Sequence, residues 1–276
     1  MDNLAYLLEG VRPGASGSVL TSSSPLLNHA GLRDWVATHY LRRNGPDRTP
    51  ASDTAAGLIP ALHELTDVAT VERLITAERE LNPRFRAWLD EAYCPHHTLE
   101  FFEGYPDGSF GQIYHRHMVT QGLQPNLARE HIKPRSDYEF IRFRFGQIHD
   151  FEHIVTGGGF NTLGEILPYF TRLSNVHRHL TPELAVELTR LYVLGGFRLP
   201  VRAALHYPQA TLVALDLMQR AVRIGLDSEP IFMARFEAVL GLTPVEAREA
   251  LGVRGADDID TAAASVVFDD AGETGP

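Results

Sequence analysis

Ser136-Asp137-Tyr138-Glu139-Phe140-Ile141-Arg142-Phe143-Arg144-Phe145-Gly146-Gln147-Ile148-His149-Asp150-Phe151-Glu152-His153-Ile154-Val155-Thr156-Gly157-Gly158-Gly159 is the stretch that decides the fold class. Ser136 with Glu139 three residues on is a capping-box pattern, and a glycine run is the usual way out of a helix. The apolar positions Phe140, Ile141, Phe143, Phe145 and Ile148 mix spacings of two, three and four, so periodicity alone admits a strand. Length and the closing glycines favour one helix over residues 137–156.

On that helix His149 and His153 lie one turn apart on one face. Asp150 sits about 100° round from His149, with His153 falling between them. Gly157-Gly158-Gly159 lets the chain turn before Glu165 arrives on the next helix. His149, Asp150, His153 and Glu165 are therefore the candidate metal ligands. Each has a plainer reading. A His pair arises by chance in a chain with 13 His, and Asp150 could offset Arg142 or Arg144. Thr162-Leu163-Gly164-Glu165 is itself a capping-box pattern, in which the carboxylate serves a helix N-terminus. Joint occurrence favours the metal. The mixed N/O donors suit Zn²⁺, with Fe²⁺ or Mn²⁺ also compatible. Glu152 is read as a solvated surface acid, with a base behind the ligands or a fifth ligand as the alternative.

Outward from this motif the sequence keeps reading as helix. Thr66 or Asp67 caps a segment to Leu81, and Asn82-Pro83 stops it and starts residues 84–93. Ser109 caps a helix through Thr120, ended by Gly122 and Pro125. Thr162 opens a helix to His179, bent at Pro168. Thr181-Pro182 begins another, and Pro200 and Pro208 punctuate the apolar segments after it. Segments 229–240 and 243–251 close the domain. With no repeat and no alternating strand, the expected fold is all-α, a single multi-helix domain over 51–253. Residues 12–25 and, more weakly, 44–53 are rich in Gly, Ser and Pro, so 1–50 reads as a loosely attached extension with a short helix near 27–41. Residues 254–276 read as an acidic flexible tail.

The 276 residues are 44% hydrophobic, enough for a proper core. Of the formal net charge of −10, six negative charges come from Asp257, Asp258, Asp260, Asp269, Asp270 and Glu273, with no Lys or Arg among them. The mildly acidic body gives no reason to expect nucleic-acid binding. Cys94 stands alone, so no disulfide can form within the chain and no thiolate cluster exists. That fits a reducing compartment. Met1 to Gly10 carries Asp2 and Glu9 where a signal peptide carries basic residues. The apolar stretch 191–217 is interrupted by Arg198, Arg202, His206 and Asp216, so membrane contact would be peripheral. The expected location is cytoplasmic, at the inner face of the membrane in a bacterium.

The pattern His-Asp-x-x-His, eleven residues, Glu, resembles the signature of the coenzyme Q biosynthesis protein four (Coq-four) family. Arg144, five residues before His149, and Asn161-Thr162-Leu163-Gly164-Glu165 are similar to that family's segments. So are Asp107-Gly108-Ser109-Phe110-Gly111-Gln112-Ile113-Tyr114 and Gly122-Leu123-Gln124-Pro125 upstream, and Phe236-Glu237 and Ala247-Arg248-Glu249-Ala250-Leu251-Gly252-Val253 downstream. The likeness covers residues 50 to 253. Glu152 departs from a usually apolar or aromatic position, and Gly146 from a usually charged one.

The resemblance implies a helical domain with a metal held by His149, Asp150, His153 and Glu165, beside an apolar channel for a polyprenyl tail. It implies ubiquinone biosynthesis at a membrane surface, by oxidative decarboxylation of a polyprenyl hydroxybenzoate ring, with His149 or Glu165 exchanging protons if released from the metal. Implied partners are a polyprenylated quinone precursor and other quinone biosynthesis enzymes. The apolar helices near the C-terminus make a homodimer reasonable, and the 191–217 stretch is the candidate lipid-lining surface or else an ordinary buried helix. The competing class is a non-catalytic prenyl-lipid scaffold with a structural metal, and a weaker one is a hydrolase of prenyl phosphates. His96-His97, His115, His117, His177 and His179 have no ligand partners at supporting spacing and read as surface or core histidines. Gly157-Gly158-Gly159 lacks the strand and Lys of a phosphate-binding loop.

Overall fold

The computed structural model describes residues 22–41, 51–125 and 133–269, and no strand occurs among them. The helices longer than one turn are α1 (Ala30–Leu41), α2 (Ala51–Leu65), α3 (Val68–Leu81), α4 (Pro83–Glu91), α5 (Phe110–Gln121), α6 (Asp137–Gln147), α7 (His149–Thr156), α8 (Ile166–His179), α9 (Pro182–His206), α10 (Pro208–Asp227), α11 (Pro244–Leu251) and α12 (Ala262–Asp269). The fold is all-α, as expected. Five starts follow local chemistry: Asp67, Asn82, Ser109, Ser136 and Thr243 each accept a hydrogen bond from a backbone N–H of the first turn. Only the last of these is a reciprocal capping box. At Ser136 the Glu139 carboxylate turns instead to the Arg135 N–H.

α8 is the central helix. It packs closely on α10, where Gly225 allows the approach: a Cβ there would stand 2.0 Å from Ser174 Oγ and 2.4 Å from the Thr171 carbonyl oxygen. Buried Asn175 then ties α8 to the chain after α10, donating to the Gly225 and Glu229 carbonyls and accepting from the Ile231 N–H. Three apolar clusters surround the motif. Phe145 belongs to the one under α3, α4 and α9, Ile148 and Phe151 to the one under α5 and α11, and Ile166 to the one under α9, α10 and α12. The motif is thereby clamped from three sides.

Five expectations are corrected. The stretch 137–156 is two helices, broken at Ile148 (φ −94°, ψ 0°). In a continuous helix the Phe145 carbonyl would serve the His149 N–H, but here it accepts from the Arg172 guanidinium at 3.2 Å. A side chain inserted into the ladder is a recognised cause of such a break. Pro200 sits inside an unbroken α9, and segment 229–240 forms two short 3₁₀ turns, Ile231–Met233 and Phe236–Val239. Within the supposed loose extension, α1 docks through Leu32 and Trp35 onto Leu58, Ala61 and Leu62 of the unforeseen helix α2. Finally, the supposed flexible tail is packed as far as α12, with Phe268 fully buried against the Tyr207 ring.

No described helix is long and apolar enough to cross a membrane.

Candidate metal centre

The break at Ile148 re-aims the motif. α7 starts at His149 and is buried from Phe151 to Thr156, so its polar side chains must find partners inside the protein. His149 Nε2 lies 3.2 Å from Glu165 Oε2, and His153 Nε2 lies 3.4 Å from Glu165 Oε1. One donor atom from each of these three residues falls within 4.8 Å of the others. Two ligands about 2.1 Å from one ion in a tetrahedron stand about 3.4 Å apart. The two measured N···O separations match that edge.

The groups behind the donors point the same way. His153 Nδ1 is 3.2 Å from the Gly159 carbonyl, which fixes the tautomer with hydrogen on Nδ1 and leaves Nε2 as the free donor. His153 is buried, while His149 and Glu165 keep 26% and 31% of their side-chain surface exposed. The set is closed behind and open in front, as a site that admits a ligand must be. Burial opposes a charge on His149, but the carboxylates of Glu165, Asp150 and Glu152 outweigh it and hold the imidazole up at about 9. Burial likewise opposes the Glu165 carboxylate, and His153 and His149 overcome it, keeping the group well below its ordinary range. The site concentrates negative charge beside neutralisable imidazoles, and its donors fit a divalent ion.

The capping-box reading of Glu165 does not describe its side chain. Glu165 is itself the residue before α8, with αR backbone and no capping hydrogen bond from its carboxylate. Asn161 serves the turn instead: its Oδ1 accepts from the Gly164 N–H at 2.9 Å and its backbone carbonyl from the Glu165 N–H at 3.1 Å. The glycines are needed for this tight path. A Cβ on Gly164 would stand 1.8 Å from the Gly159 oxygen, and Gly157 has φ +83°. Gly157 closes α7 as a left-handed cap, with its N–H on the His153 carbonyl, and Arg248 donates to the buried carbonyls of Ile154 and Val155 at the helix end.

Asp150 is the one expected ligand that the structure leaves outside the cluster. Its charge still acts on His149, His117 and Tyr114. Glu152 is not a solvated acid. It is 1% exposed and forms a bidentate ion pair with the equally buried Arg172, which also donates to the Tyr192 hydroxyl at 2.7 Å and stacks over the Phe145 and Tyr192 rings. Arg144 likewise pairs across the fold, not within its helix: its guanidinium grips Glu237 at 2.7 and 2.8 Å. Burial pushes the Glu237 carboxyl up, but His97 and Arg144 hold it down at about 2.

Residues that spacing could not find also line the site. The Tyr169 ring lies 5.6 Å from His149, and Phe160 is sandwiched between His153 at 5.1 Å and His117 at 3.6 Å. His117 reaches the site from α5, and burial lowers its pKa. Gly195 and Gly196, expected in a lipid-lining surface, are filled by aromatic rings: a Cβ on Gly195 would meet Tyr169 at 2.6 Å. That side of α9 is ordinary packing. Its other side, with α10, exposes Val186, Phe197, Leu205, Leu212 and Leu215.

Known proteins share this architecture. A crystal structure of a candidate ubiquinone biosynthesis protein from Nostoc punctiforme superposes with a TM-score of 0.54 over 81% of this chain and 97% of that one, at 19% identity, a likeness of fold. Mitochondrial ubiquinone biosynthesis proteins coq4 of Aspergillus terreus and Talaromyces stipitatus are 25% and 27% identical over 163 and 169 residues, 58% of this chain in each case. The chain spans about half the length of these relatives, 52% of each. Because residues 56–257, the span that holds the cluster and helices α3 to α11 around it, match the model for "Coenzyme Q (ubiquinone) biosynthesis protein Coq4", the chain belongs to that family.

Proposed function

We propose that the protein is a metal-dependent enzyme of ubiquinone biosynthesis that replaces the carboxyl group of a polyprenyl hydroxybenzoate with a hydroxyl, releasing CO₂, with molecular oxygen as the two-electron oxidant, reduced to hydrogen peroxide, and water as co-reactant. The observation that carries this reading is the convergence of His149, His153 and Glu165 on one point with an open face. A divalent ion there, most simply Zn²⁺ with Fe²⁺ or Mn²⁺ as alternatives, supplies a Lewis acid for the ring's carboxylate and neighbouring phenol oxygen.

The chain's own residues do the rest. His153 is fixed by Gly159 and serves as the rigid anchor. His149 and Glu165, partly exposed and in mutual contact, are the groups placed to hold and pass a proton at His149 Nε2 when that nitrogen is released from the ion. Tyr169 and Phe160 wall the site against water. The exposed apolar side chains of α9 and α10 support contact with the prenyl tail, a membrane surface or a second copy of the chain.

The test is turnover by purified, metal-loaded protein with oxygen and a native-length polyprenyl hydroxybenzoate. The expected product has lost CO₂ and gained a hydroxyl. Tight binding of the prenyl lipid without turnover would support the scaffold instead.

A further inference from the structure

We propose that residues 257–269 are a positioning element for the metal centre, in which Ser265 and Thr261 orient Asn161 so that Glu165 is presented to the two imidazoles. The family match ends at residue 257, so all but the first residue of this element lies beyond the matched span.

Its contacts fall on both ends of the ligand loop. Ser265 Oγ donates to Asn161 Oδ1 at 2.6 Å and accepts the Leu163 N–H at 3.1 Å, while Asn161 Nδ2 donates to Thr261 Oγ1 at 2.8 Å. Both hydroxyl residues are buried, at 2% and 1% exposure. The Asn161 amide is thus held at both its oxygen and its nitrogen. It is the same side chain that receives the Gly164 N–H, one residue before Glu165. At the other end, the Ile259 N–H bonds to the Gly157 carbonyl at 3.0 Å, directly after the helix that carries both histidines. The chain crosses so closely that a Cβ on Gly157 would stand 2.0 Å from the Asp257 oxygen. The element is itself anchored, by Phe268 on Tyr207 and by the Asp258–Arg248 ion pair.

A carboxylate ligand works only if its backbone is held, and partners of this kind behind metal ligands are worth about 10–100-fold in affinity. The inference rests on the metal reading above, so its test has a second readout. Ser265→Ala, Thr261→Val and the double variant are made in the full chain. Zn²⁺ affinity is measured by chelator competition, and amide hydrogen exchange over residues 157–166 is measured without metal. The double variant is expected to bind Zn²⁺ about 10–100-fold more weakly and to exchange faster in that loop, while its unfolding midpoint changes little and Ser265→Thr restores both. Should the double variant not fold, Ser265→Ala alone decides, since it removes one hydroxyl and adds no volume. Unchanged loop exchange in folded variants, or an affinity loss that Ser265→Thr does not restore, overturns the proposal. Faster loop exchange in a chain that never binds Zn²⁺ would keep the brace and remove the metal.

Discussion

His153→Ala is expected to lower divalent-metal affinity by more than about 100-fold, the upper end of what the loss of a mere supporting partner causes. His153 is the buried member of the cluster, and its Nε2 is the donor whose direction the protein fixes most firmly. Alanine removes that donor and leaves the Gly159 carbonyl without its partner. His149 and Glu165 remain, too few ligands to hold an ion against water. Metal content of the purified variant checks the first half. In cells, the same variant is expected to accumulate a carboxylated, prenylated precursor. Metal loss with unchanged quinone output would separate the site from the chemistry.

Arg172→Leu is expected to destabilise the fold by about 3–5 kcal/mol, the usual cost of leaving one partner of a buried ion pair alone. The Glu152 carboxylate would face an interior it now shares with a guanidinium, and Phe145 and Tyr192 would lose their donor. The urea midpoint should fall at an unchanged slope. Replacing both charges, Glu152→Leu with Arg172→Leu, should recover much of the loss, because no unpaired charge remains. A cost below about 1 kcal/mol for Arg172→Leu would place the pair among weak surface bridges. It would also leave the break at Ile148 without its cause.

The all-helical class was legible because caps and breakers are local. Ser109, Ser136 and Asn82 act where their neighbours in sequence imply. The break at Ile148 was not, since its cause, Arg172, arrives from another helix. Glu152 misled for the same reason: between two histidines it looks solvated, and only the fold supplies its partner. Glu165 was legible as a candidate ligand but carried an equally good local pattern as a cap. Asn161, four residues earlier, takes the capping role and frees it. His117 and Tyr169 gave no spacing signal, because each reaches the site from outside the motif, and Phe160, within it, carries no ligand atom for spacing to flag.

Whether His149, His153 and Glu165 hold a metal is decided by calorimetric titration of the metal-free chain with Zn²⁺, repeated across pH and in buffers of different ionisation heat. His149 holds its proton up to about 9, and a metal needs the neutral imidazole. Without metal, that raised pKa stabilises the fold below about 6.5, and the contribution is lost as pH rises through about 9. With metal the sense reverses. The expected result is one ion per chain, release of about one proton near neutrality, and apparent affinity falling roughly tenfold for each pH unit below about 9. No binding, or binding with neither proton release nor pH dependence, would contradict a metal centre built on these residues.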